Sequence, residues 1–218
     1  MIFNNKTAAA LLCGLALATS APLVHAVGVT DAAGDFLASY TGPMNGDLDV
    51  ISSIVTYNPG TDIFSFTGTM AAAIGTTPGV GYVWGISRSN VGNTPFGAIG
   101  AGNVKFDTVV RLNGDGTGTA GGTTLALGVV TFSGNTISAT FNGNLLPTVA
   151  GGFAKQDYTW NLWPRATGPV GTAAISDFAP NNANVAVTAV PEPASVAMLA
   201  LGLGVVVIAR RRKQESTL

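Results

Sequence analysis

Thr136-Ile137-Ser138-Ala139-Thr140-Phe141 puts an apolar side chain at every second position and a hydroxyl between them. Side chains of an extended chain point alternately to opposite faces, so a period of two builds a strand with one apolar and one wet face. Upstream, Leu125, Leu127 and Val129 alternate with smaller residues, and Ser133-Gly134-Asn135 between the two runs has turn chemistry. Working outward in both directions, the same pattern predicts strands over 48–57, 63–70, 80–88, 103–112, 125–132, 136–141, 158–164, 173–178 and 184–190. Asn58-Pro59-Gly60, Thr77-Pro78-Gly79 and Pro180-Asn181-Asn182 supply turns between them. Short strands at this spacing predict a mainly β fold, an antiparallel β-sandwich or jelly-roll-like body. The glycine-rich run 114–122 is expected to be a mobile loop.

The body, residues 27–189, carries five bases and nine acids, a net charge of −4, and every acid is Asp. Short carboxylates favour turns and strand ends over helix interiors, which agrees with the β reading. A surplus of acid leaves no basic footprint for nucleic acid. The only Cys is Cys13 and the only His is His25, both upstream of the body. Ser-His-Asp and Cys-His catalysis and His- or Cys-ligated metals therefore have no residues to use there. A noncatalytic body is expected, with an Asp-based hydrolase as a distant alternative.

The two ends read differently from the body. Residues 1–26 have a start carrying Lys6, an apolar run over 8–18 and small residues leading to Ala26, the zones of a signal peptide that signal peptidase would cut after Ala26. Cys13 lies inside the apolar run behind Leu11 and Leu12, which argues against a lipoprotein signal. At the other end, residues 194–209 are uncharged and are followed by Arg210, Arg211, Arg212 and Lys213. A helix of that length spans about 24 Å against a bilayer core of about 30 Å, and the basic stems can make up the difference by snorkelling. Bases beside a membrane helix stay cytoplasmic, so 214–218 would be a cytoplasmic tail and Pro191-Glu192-Pro193 an extended strip on the export side.

Val190-Pro191-Glu192-Pro193-Ala194-Ser195, an apolar helix and a terminal arginine cluster, in that order over 190–213, resemble the PEP-CTERM sorting signal. The resemblance implies recognition by an exosortase, cleavage near the Pro-Glu-Pro strip, and an inner-membrane-anchored precursor with its body in the periplasm. Delivery to the cell surface or extracellular matrix would follow, in association with exopolysaccharide and biofilm. The body is then expected to be a structural or adhesive component, with a carbohydrate-binding module as the alternative.

Two groups of body residues are candidate sites. Asp31, Asp35, Asp47 and Asp49 could converge on calcium if the first strand folds back, since carboxylate oxygens suffice for that ion. The run Asn113 to Gly118 offers oxygens at alternate positions but has Thr124 where an EF-hand loop has its bidentate Glu. At both places an ordinary Asp/Gly turn is the favoured reading. Tyr82 with Trp84, and Tyr158 with Trp160, stand two apart and so share a sheet face, which is a sugar-stacking platform or, the favoured reading for most of them, the core. Trp163 could join such a platform, and an Arg165–Asp177 contact is a further candidate.

Overall fold

The computed structural model describes residues 28–190, together with Gly202. Its strands are β1 (Val29–Thr30), β2 (Val50–Asn58), β3 (Ile63–Met70), β4 (Gly81–Ser87), β5 (Thr108–Asn113) and β6 (Gly118–Ala120). They continue with β7 (Thr123–Thr124), β8 (Val130–Ser133), β9 (Thr136–Asn142), β10 (Thr159–Arg165), β11 (Val185–Ala186) and β12 (Thr188–Ala189). They form two six-stranded sheets. The first runs β1-β2-β3-β9-β8, with β12 also on β2; the second runs β11-β10-β4-β5-β6-β7. All pairings are antiparallel except β12 with β2.

The two apolar faces meet. Phe64, Phe66, Ile137 and Phe141 from the first sheet share one core with Tyr82, Trp84, Leu112 and Trp160 from the second and with Tyr158 just before β10. Phe66 packs edge-on to Trp84 at 5.9 Å, and Phe64 stacks on Tyr158 at 6.1 Å. Trp84 Nε1 crosses the gap to donate to Ser53 Oγ at 3.0 Å, so its polar edge is satisfied inside the core. The outward face of the first sheet keeps the hydroxyls of the alternating pattern, with Ser65 bonded to Thr140 and Thr131 to Ser138.

The second sheet is covered on its other face too. Val83, Phe96, Val104, Trp163, Ile175 and Phe178 form a second cluster under the loops. Every residue of β4 is therefore buried. At Gly85 a Cβ would stand 2.5 Å from the Trp163 ring, so glycine there lets the indole lie against the backbone.

Four stretches depart from the sequence reading. Residues 103–107 do not pair as a strand apart from a bridge at Phe106. Their backbone is held by side chains, with Asn103 N–H on Asn182 Oδ1 and Lys105 N–H on Asn184 Oδ1. Residues 126–129 turn instead of extending, closed by Val129 N–H to Ala126 O, so only β8 remains of that run. The glycine-rich run 114–122 is not simply a loop: β6 lies in it, paired with β5 and β7. Residues 173–178 begin as a 3-10 turn and touch β10 only through the bridges Arg165↔Ile175 and Leu162↔Ala179. Between those bridges the segment holds one residue more than β10, a bulge that carries Ser176 and Asp177, and Pro164 opposite has no N–H to complete a ladder.

The run 184–190 splits at Val187. β11 pairs with β10 in the second sheet and β12 with β2 in the first, so the last segment of the body crosses from one sheet to the other.

Candidate functional site

β1 ends at Thr30, and Asp31 N–H still donates to Ile51 O of β2 at 2.8 Å. The chain then turns through Gly34, whose φ of +83° suits glycine, to Asp35. Leu37 N–H next reaches Ser176 O at 2.8 Å, which draws the loop over the bulge. The result is a group of carboxylates. Oxygens of Asp31, Asp35 and Asp177 all lie within 4.8 Å of one another.

Asp177 is wholly buried; Val50 N–H donates to its Oδ2 at 2.9 Å and Phe178 N–H to its Oδ1 at 2.7 Å. Asp49 comes in from the residue before β2. Gly34 N–H holds its Oδ2 at 2.8 Å, while its Oδ1 is buried without a partner on a residue only 4% exposed. Asp31 Oδ2 and Asp35 Oδ1 are likewise buried and unpartnered.

Crowding like charges away from water disfavours ionisation. Burial first, then the charges of Asp31 and Asp35, pushes Asp177 up to about 7. Burial and then Asp35 raise Asp31 to about 6, with Asp49 adding to the effect. Burial also raises Asp49. The group is a small, all-oxygen, electron-rich niche whose deepest member no organic substrate can touch.

Of the four aspartates expected to converge, the structure brings three to one place. Asp31, Asp35 and Asp49 gather, but Asp47 does not join them. Its two oxygens are taken by Thr77, through the backbone N–H at 2.6 Å and the hydroxyl at 2.7 Å, so it closes a separate turn. Asp177 takes its place. The Arg165–Asp177 contact does not form, because both Asp177 oxygens face backbone donors. Its one local signal is a carboxylate set among Ala173, Ala174, Ile175, Phe178 and Ala179.

The second calcium candidate is a self-contained turn. Asp115 Oδ1 accepts from Thr117 N–H at 2.9 Å and from its hydroxyl at 2.6 Å, and Asn113 Nδ2 donates to the same hydroxyl. That hydroxyl bond first, then the backbone one, lowers the Asp115 pKa.

Of the two readings of the aromatics, the platform gives way to the core. Tyr82, Trp84, Tyr158 and Trp160 are 0% exposed and Trp163 only 3%. The shared face is the inner one, so no ring is open to a sugar. Burial pushes Tyr158 up to about 12 and Tyr82 higher still, as expected for phenols deprived of water.

Of the sorting residues, Val190 lies within the described residues and donates its N–H to Tyr57 O at 2.8 Å. Ala26, Pro191, Glu192, Pro193, Ala194, Ser195, Arg210, Arg211, Arg212 and Lys213 lie outside them, as do the expected signal helix and the span 194–209 apart from Gly202. Among the described residues no helix is long and apolar enough to cross a membrane.

The family described as the PEP-CTERM protein-sorting motif matches residues 189–213. No curated protein and no solved structure matches the chain. The chain thus carries a C-terminal PEP-CTERM protein-sorting motif.

Proposed function

We propose that this PEP-CTERM-motif chain is delivered to the cell surface or extracellular matrix, where its β body serves as a noncatalytic structural or adhesive component linked to exopolysaccharide or biofilm. The observation that carries the reading is the motif over 189–213 directly after a folded β domain. The last backbone bond of the body, Val190 N–H to Tyr57 O, falls one residue before Pro191. An exosortase would therefore work close to the edge of the first sheet, with the basic cluster on the cytoplasmic side and the body in the periplasm. A noncatalytic role is supported by a body free of His and Cys.

Mass spectrometry of the mature C-terminus, from cells with and without the exosortase, tests the proposal. Loss of residues downstream of the Pro191-Glu192-Pro193 strip only when the enzyme is present is the expected result. An unprocessed C-terminus in both strains would refute it.

Carbohydrate binding stays in play as a second reading, on a different surface from the buried rings. Thr56, Ser65, Thr67, Thr69, Ser138 and Thr140 project from the outer face of the first sheet and form an uncharged field of hydroxyls. Such a face can exchange hydrogen bonds with a neutral polymer without charge selection. Retention on the native exopolysaccharide should fall when Thr67 and Ser138 are both changed to Lys; unchanged retention would count against this surface.

A further inference from the structure

Asp31, Asp35 and Asp177 bring three carboxylates together, with Asp49 beside them, and no cation among the described residues answers them. Among the described residues the ion pairs are Arg88–Asp107 and Lys155–Asp62, and neither involves this group. A carboxylate oxygen buried without a donor costs more than the fold gains from placing it there. Here three such oxygens, on Asp31, Asp35 and Asp49, occur in one group. Asp49 is the most telling, since it is almost wholly buried and is fixed beside Asp35 by the Gly34 N–H, with Oδ1 left over.

We propose that Asp31, Asp35, Asp49 and Asp177 bind a calcium ion that joins the first loop of the body to both sheets. Two ligands on opposite sides of a calcium ion at about 2.3–2.6 Å are about 4.6–5.2 Å apart, which the oxygens of Asp31, Asp35 and Asp177, within 4.8 Å of one another, satisfy. The donor set is carboxylate only, the hard ligand type that favours calcium over zinc or copper. Backbone carbonyls and water complete the shell of an ion that tolerates irregular geometry.

The consequence is mechanical. Asp31 follows β1 and Asp49 precedes β2, both in the first sheet, whereas Asp177 sits in the bulge beside β10 of the second. β1 holds to β2 through only two residue pairs, so the ion would secure the N-terminal edge of a body that has no disulfide. None of this depends on where the protein is sorted, and either reading can fail alone.

The test uses the full-length chain in detergent micelles, followed by tryptophan fluorescence on heating in EDTA, calcium chloride or magnesium chloride, with the metal content of the folded protein measured directly. Calcium at about a hundredfold over its Kd should raise the midpoint by about 5–10 °C, with about one ion bound per chain. Asp35→Asn should lose that rise, yet melt in EDTA at the wild-type temperature or above, because it removes one repelling charge. Asp31→Asn, also only partly buried, should behave alike. A purely structural role for these acids would instead lower the EDTA midpoint. No calcium shift in the wild type, an undiminished shift in both variants, or an equal shift with magnesium would overturn the assignment.

Discussion

Raising the pH of the metal-free protein from about 5 to about 8 should weaken its fold, because Asp177 keeps its proton in the native state long after the unfolded chain has lost it. Its pKa rises from 3.8 to about 7, chiefly through burial. The folded state then binds the extra proton across that interval, so the contribution is complete below about 3.8 and disappears as pH climbs through about 7. A shift of about three units corresponds to about 4 kcal/mol at most, at about 1.4 kcal/mol per unit. Between pH 5 and pH 7 the slope approaches about 1.4 kcal/mol per pH unit, so about 2–3 kcal/mol should vanish over that range. Asp31, raised to about 6, acts in the same direction. The two acids interact, so their effects belong to the group and do not simply add. Urea unfolding in EDTA, followed by tryptophan fluorescence at a series of pH values, measures the effect directly, since Trp84, Trp160 and Trp163 are all buried. Stability that is flat or rising across this range would refute the crowded, desolvated arrangement of Asp31, Asp49 and Asp177.

Trp84→Ala and Trp160→Ala should each cost about 3–5 kcal/mol in urea unfolding while the folded fraction keeps its retention on polysaccharide; selective loss of retention would mean the rings reach a ligand. Ser53→Ala should cost about 1–3 kcal/mol, because the buried Trp84 Nε1 loses its acceptor, and an unchanged urea midpoint would argue against that bond. Gly85→Ala should destabilise by about 1–3 kcal/mol as the new Cβ meets the Trp163 ring, with the Trp fluorescence spectrum shifting as the indole moves. Lys155→Ala should change stability by less than about 1 kcal/mol, since its pair with Asp62 sits near the surface; a larger loss would point to a wider network.

How far the sequence could be read depended on the range of the interaction involved. The alternation in Ile63–Met70 and Thr136–Asn142 is local, and the strands fall where it puts them. The sorting strip is likewise a continuous string of residues whose order carries its meaning. Periodicity alone says that Tyr82 and Trp84 agree but not whether they meet solvent or the opposite sheet; the size and apolarity of the rings favoured the core, where they lie. The segment 103–107 has strand composition, yet Asn182 and Asn184, some eighty residues away, take its backbone bonds. Asp47 and Asp49 look equivalent in Gly46-Asp47-Leu48-Asp49, but the 3-10 turn over Gly46–Leu48 separates their directions, one to Thr77 and one to the Gly34 loop.

The chain by itself determined a β body with a turn-rich, Asp-only acidic set and a C-terminal sorting motif, because periodicity, turn residues and a linear motif are properties of neighbours in sequence. Only the folded arrangement decided that the aromatic rings form the core and that Asp177 joins Asp31, Asp35 and Asp49. Those outcomes rest on sheet packing and on one extra residue opposite β10, which re-aims a side chain across a separation that local pattern does not encode.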